Sequence, residues 1–263
     1  TDIAFALGCI TLVRNYVPKS IAVFLMALAI FDDLGAIVVI TVFYGHGLEP
    51  VGIGLSVLVL GVLAAMNRAK IEAPVIYLVV GFVLWLAVLR SGIHPTLAGV
   101  LLGMCIPARP IAGSARAPIE RLQAAFESPV SYLVVPLFAL TNAGIDLHGL
   151  GFSRLASPVA LGVVLGLCVG KGVGVFVFSS AAVRLRIAPP LEGALPRHLV
   201  GVSVLAGIGF TMSIFVAALS FDADSPLLLE AKLGILVASA TSAAAGLLIL
   251  RSGARSPARE SHA

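Results

Sequence analysis

The chain has 263 residues, of which 59% are hydrophobic and 11% charged, with a formal net charge of +4 and a mean hydropathy of +1.09. That leaves too little polar surface to cover a water-soluble globule of this size, and the same numbers exclude disorder. Long apolar runs make the chain a polytopic membrane protein in contact with lipid, and the positive charge marks no nucleic-acid surface because it sits in the loops between the runs.

The first apolar run, residues 3–13, is half the roughly 20 residues a spanning helix needs. It reads as half a helix, and the chain as a fragment of a longer protein. Apolar runs follow at 21–44, 51–67, 73–89, 92–108, 129–145, 159–183, 198–221 and 228–250. They are continuously apolar and rich in Ala, Leu and Gly rather than alternating, so all are predicted to be helices. The expected architecture is a single all-α transmembrane domain over 1–252, with about eight full spans and a half-span, and a disordered cytoplasmic tail over 253–263. The largest hydrophilic gap, 107–128, is too short for a domain of its own and divides the chain into halves. Cys9, Cys105 and Cys168 lie inside apolar runs, which argues against a disulfide framework and a metal cluster.

Loop charges give the orientation. Alternate loops carry Arg14 and Lys19; Arg68 and Lys70; Arg109, Arg116 and Arg121; Arg184, Arg186 and Arg197; and Arg251, Arg255 and Arg259. The opposite loops and helix ends carry Arg90, Arg154 and Lys232 alone. The Arg-rich side and the tail are therefore expected in the cytoplasm.

A few charges fall inside the runs. Asp32 and Asp33 lie at the midpoint of 21–44, with ~16 Å of helix on either side. A carboxylate cannot snorkel that far, and a charge at this depth costs about 2.5–3.5 kcal/mol on insertion scales. A merely structural polar cross-link would use serine or asparagine at lower cost, so the pair reads as an ion or proton site. Lys171 sits at the centre of 159–183. It can snorkel, form a structural ion pair, or face the intramembrane carboxylates. Helix neighbours point about 100° apart, so Lys171 can pair with one of Asp32 and Asp33 and leave the other free to bind a cation. Asp2 is either an ordinary N-cap for the helix that begins at Ile3 or a charge at a mid-membrane helix break.

Within 198–221, Gly207 and Gly209 are flanked by small and hydroxyl residues. They mark either a span unwound at its centre, tolerated only where it is buried or lines a cavity, or close packing of helices. The run Gly170-Lys171-Gly172 is not a phosphate loop: no strand precedes it and no Ser or Thr follows the lysine. His94, before Pro95, reads as a satisfied polar residue at a helix entry. No two histidines have metal-ligand spacing.

Five segments resemble, in order, those of the NhaA-type bacterial Na+/H+ antiporters. They are Ala29-Ile30-Phe31-Asp32-Asp33-Leu34-Gly35-Ala36-Ile37, Ser91-Gly92-Ile93-His94-Pro95-Thr96-Leu97-Ala98-Gly99, Pro136-Leu137-Phe138-Ala139, Leu205 to Phe215 with its Gly207-Ile208-Gly209 core, and Ala231 to Leu236. The resemblance covers about residues 1–250. It implies an inverted-repeat fold of twelve helices with two discontinuous ones, an architecture for which this family is itself a type example. On that template the chain begins midway through the fourth helix. Thr1-Asp2 looks like its extended segment, and Gly207–Gly209 like the break in the eleventh. By resemblance Asp33 and Asp32 carry Na+ and protons, Lys171 faces them, and Asp2 offsets the positive ends of two half-helices. His94, Arg121 and Glu127 are the positions left for a pH response. The family's Arg-Leu-Glu-His pattern is replaced here by Arg121-Leu122-Gln123-Ala124.

The resemblance implies an electrogenic secondary antiporter of a bacterial inner membrane that exports Na+ or Li+ in exchange for H+, serving pH and sodium homeostasis. It implies no cofactor beyond the transported ions, membrane lipid as the surroundings, a homodimer of the full-length protein, and no nucleic-acid partner. The alternative is a sodium-coupled symporter or a cation channel on a similar scaffold. A membrane-embedded enzyme fits poorly: intramembrane aspartyl proteases need aspartates on two facing helices, and prenyl transferases need two Asp-rich motifs.

Overall fold

The computed structural model describes residues 1–43, 47–110, 116–142 and 155–252. The tail 253–263 and the last three residues of the expected span 129–145 lie outside the described residues.

The described elements are helices: α1 Ile3–Leu12, α2 Lys19–Phe43, α3 Pro50–Arg68, α4 Pro74–Arg90, α5 Thr96–Cys105, α6 Pro118–Pro129, α7 Val135–Asn142, α8 Pro158–Val164, α9 Gly172–Arg184, α10 Pro196–Leu205, α11 Phe210–Ser220 and α12 Pro226–Arg251. Two wide π-helical turns, Val130–Val134 and Leu165–Lys171, join α6 to α7 and α8 to α9. Proline opens α3, α4, α6, α8, α10 and α12, where its missing N–H has no helical partner to lose. Arginine closes α3, α4, α9 and α12, complementing the negative ends of their dipoles.

Five continuous helical segments are long and apolar enough to cross a membrane: Lys19–Phe43, Pro50–Arg68, Pro118–Thr141, Pro158–Arg184 and Pro226–Arg251. The pair Pro196–Leu205 and Phe210–Ser220, bent by 41°, makes a sixth, broken span. The chain is a multi-pass, all-α membrane bundle. Eight full spans were expected, and the difference lies in α4 and α5, which have 17 and 10 residues. The expected span 92–108 is a helix only from Thr96 to Cys105: Gly92 has a φ of +80°, Pro95 follows at once, and Pro107 prevents continuation. The hydrophilic gap 107–128 is not all loop. Pro118 starts α6 inside it, and the Glu120 carboxylate accepts from the Ala117 N–H at 3.1 Å.

The residues form two compact units. One comprises Leu34–Leu137, so the division does not fall at the hydrophilic gap. Its core packs Leu63 of α3 against Tyr77 and Leu84 of α4. The other comprises Thr1–Asp33 and the residues from Phe138 onward. There α12 lies against α8, α10 and α11. A methyl group on Gly246 of α12 would fall 2.6 Å from the Leu205 side chain, so glycine sets how closely α10 and α12 approach. Phe31 and Phe178, 72% and 78% exposed, present the apolar surface that lipid requires.

Candidate ion-binding site

The intramembrane charges singled out above all belong to the second of these units. α2 carries Asp32 and Asp33 on consecutive residues, just past the middle of a 25-residue helix. Nζ of Lys171 donates to Oδ2 of Asp32 at 2.5 Å. The backbone nitrogen of Thr1 donates to the same oxygen. The open question of which aspartate Lys171 faces is thus answered: it is Asp32. The Lys171 and Asp32 side chains keep 19% and 33% exposure. Asp33 has a different environment. Its Oδ1 is buried and has no hydrogen-bond partner among the described residues. One carboxylate is bonded to the lysine and its neighbour is not.

The break between α10 and α11 meets the extended residues before α1 beside the pair. Asp2 has extended backbone, φ −80° and ψ 105°, and its N–H donates to the Ile208 carbonyl at 2.7 Å. Thr1 Oγ1 donates to the Ala206 carbonyl at 3.1 Å. The stretch before α1 and the stretch between α10 and α11 therefore satisfy part of each other's freed backbone. The Asp2 carboxylate then closes two helix starts. Oδ1 accepts from the Phe5 N–H of α1 at 2.9 Å. Oδ2 accepts from Thr211 N–H at 3.2 Å and Thr211 Oγ1 at 2.7 Å, at the start of α11. Asp2 is an N-cap of α1, and the same carboxylate also holds the first turn of α11 beyond the α10–α11 break. One buried negative charge faces two positive helix ends.

Gly207 satisfies both of its readings. The helix is interrupted from Ala206 to Gly209, and a Cβ at Gly207 would lie 2.6 Å from the Leu167 carbonyl and 2.6 Å from Ser242 Oγ. A Cβ at Gly209 would collide with the Ser213 side chain. The unwound segment is pressed against the π turn that ends at Lys171, so the two features that surround the carboxylates are in contact.

Three contributors escaped the sequence reading. Ser239 caps α11 by accepting from Phe210 N–H at 3.2 Å, and Thr211, within its first turn, donates both its N–H and its Oγ1 to Asp2. The π turn Leu165–Lys171 sets the bearing of the lysine. The signals were present in part: α12 places buried Ser239 and Ser242 three residues apart on one face, and glycines crowd around Lys171. His94, whose Nδ1 lies 2.9 Å from Thr96 Oγ1, is in the connection before α5. Arg121 and Glu127 are on α6. These three belong to the Leu34–Leu137 unit. Among the described residues no cluster of three or more His, Cys, Asp or Glu side chains forms that could hold a resident metal ion.

A helical membrane bundle with a broken span and an intramembrane carboxylate–lysine pair is of the class of membrane proteins with discontinuous helices. Comparison with known proteins narrows it. Residues 1–250 match the family described as Na+/H+ antiporter 1. The Na(+)/H(+) antiporter NhaA of Actinobacillus pleuropneumoniae is 46% identical over 254 residues, covering 95% of this chain and 64% of the relative. That of Serratia proteamaculans is 47% identical over 252 residues, with the same coverage. That of Rhodospirillum rubrum is 46% identical over 267 residues, covering 99% and 67%. The chain belongs to the Na+/H+ antiporter 1 family, and it spans about 64% of the length of the first of these relatives.

Proposed function

We propose that this chain forms the ion-carrying part of an electrogenic antiporter that exports Na+ or Li+ in exchange for protons. The observation that carries the reading is the asymmetry of the aspartate pair: Lys171 is engaged by Asp32, while Asp33 keeps a buried, unpartnered oxygen. Asp33 is the primary carrier. It holds a proton or, once ionised, a cation stripped of part of its water. Asp32 completes the cation's oxygen ligands when Lys171 lets go. In the absence of cation the lysine neutralises Asp32, so the site never holds two uncompensated carboxylates. Protons and Na+ then compete for the same oxygens, which makes the exchange obligatory.

Asp2 keeps the two helix starts stable while the site passes from one membrane face to the other. The setting is a bacterial inner membrane, with residues 1–252 as one transport domain and the C-terminus in the cytoplasm, as the arginine-rich loops favour. A homodimer of the full-length protein, and a pH response through His94, Arg121 and Glu127, belong to the same reading.

The test is Na+-driven proton movement in inside-out vesicles made from cells lacking other Na+/H+ antiporters and expressing the full-length gene product. Asp33→Asn is expected to abolish it at normal protein levels, and a wild-type rate in that variant overturns the assignment. Sodium flux without proton movement favours a channel instead, and dependence on an organic solute favours a symporter.

A further inference from the structure

At the arginine-rich end of α9, away from the carboxylates, the chain forms a half-open cavity of about 480 Å³. This lies within the ~300–1,000 Å³ of ordinary small-ligand pockets. Phe24 of α2, Phe176 of α9, Leu191 of the following connection and Leu199 of α10 form its apolar walls, with Ser180 and Arg184 supplying polar groups.

The connection that roofs it is held in place. Ser20 Oγ donates to the Glu192 carbonyl at 2.7 Å. Ile187 and Ala188 N–H groups both donate to the Ala182 carbonyl, at 2.9 and 3.3 Å, as the chain leaves α9 through Arg186 in the left-handed region at φ 58°. Pro189 and Pro190 stiffen the segment further.

Its position and chemistry together specify an occupant. Arg184 ends the 27-residue segment Pro158–Arg184, so it lies where a spanning helix meets the headgroup layer, while Phe176 lies two turns deeper among the acyl chains. No acidic side chain lines the cavity. From Arg184 to Arg197 the chain holds three arginines and one acid, Glu192. An arginine at the mouth of a pocket between transmembrane helices, on the side the proposed orientation places in the cytoplasm, suits an anionic headgroup, and apolar walls beneath it suit a hydrocarbon tail. We propose that this cavity binds an anionic phospholipid, one acyl chain lying along Phe24, Phe176 and Leu199 and the phosphate resting on Arg184.

The test uses the purified, delipidated protein titrated with dioleoyl phosphatidylglycerol, dioleoyl phosphatidylcholine or inorganic phosphate. Thermal melting and native mass spectrometry of retained lipid are the readouts. Phosphatidylglycerol is expected to raise the melting temperature and remain bound, phosphatidylcholine to bind at least fivefold more weakly, and inorganic phosphate to have no effect. Arg184→Gln, at an exposed position, is expected to weaken phosphatidylglycerol binding about fivefold, the worth of one basic residue at an anionic lipid surface, with Arg184→Lys restoring most of it. Ser180→Phe fills the cavity and is expected to expel the tail. Equal binding of the two lipids, full affinity in Arg184→Gln, or inorganic phosphate acting as well as lipid overturns the proposal. The headgroup comparison on unaltered protein decides the matter even where Ser180→Phe fails to fold.

Discussion

Asp2 ends two helices with one carboxylate, and its removal therefore reaches both. Asp2→Ala strips the cap from Phe5 N–H and from Thr211. At roughly 1 kcal/mol for each cap, with a further share from the two dipoles, a loss of about 2–3 kcal/mol in thermal unfolding is expected. Thr211→Val removes one hydroxyl donor and is expected to cost about 1 kcal/mol. The double variant should cost less than the sum, since the two share a bond. Full additivity would show that the Asp2–Thr211 bond is energetically idle.

The Asp32–Lys171 pair permits a similar measurement. Lys171→Met takes from Asp32 its lysine partner and is expected to cost about 1–3 kcal/mol, below the range of a fully buried pair because Asp32 is one-third exposed. Adding Asp32→Asn should recover part of that loss. The proposed competition between protons and Na+ also has a sign: as pH falls, more of the carboxylate is protonated and the apparent KM for Na+ is expected to rise. Each competing proton contributes about tenfold per pH unit. Initial rates in vesicles against pH and Na+ give the slope, and a KM independent of pH contradicts shared carboxylates.

The π turn Leu165–Lys171 and the break at Gly207 act on each other at the level of whole elements. Gly207→Ala would place a methyl 2.6 Å from the Leu167 carbonyl. Backbone cannot yield as a side-chain tip does, so destabilisation of about 1–3 kcal/mol is expected. Gly174→Ala, on the same helix as Lys171 but with open space around it, should be neutral or slightly stabilising. Parallel thermal melts of the two variants make the comparison.

These elements also mark where a linear reading ends. Asp32, Asp33, Lys171 and the glycine pair were legible because charge at mid-span and paired glycines at mid-span are each costly and need a reason. Which aspartate the lysine meets was not, because that depends on its rotation about the helix axis. A π turn winds more residues into each turn than the 3.6 of an α-helix, so any bearing computed from regular periodicity is wrong beyond Leu165. The apolar run begins only at 129 because Glu120, Arg121, Gln123 and Glu127 interrupt the apolar positions of α6, and hydropathy alone cannot tell an amphipathic helical entry from a loop. The shortness of α5 was written in Gly92, Pro95 and Pro107, whose effect the run of apolar residues concealed.

For the molecule as a whole, the arrangement of arginines is the feature that ties helices to a membrane. A fluorescent-protein fusion after Arg251 is expected to fluoresce, as it does only on the cytoplasmic side, and an alkaline phosphatase fusion there to be inactive. The opposite pair of results reverses the orientation. The single backbone bond from Asp2 N–H to the Ile208 carbonyl has a kinematic consequence. The start of one helix and the gap in another would ordinarily move independently. Pinned by that bond, with one carboxylate clasping the first turn of each, α1 and α11 share a pivot.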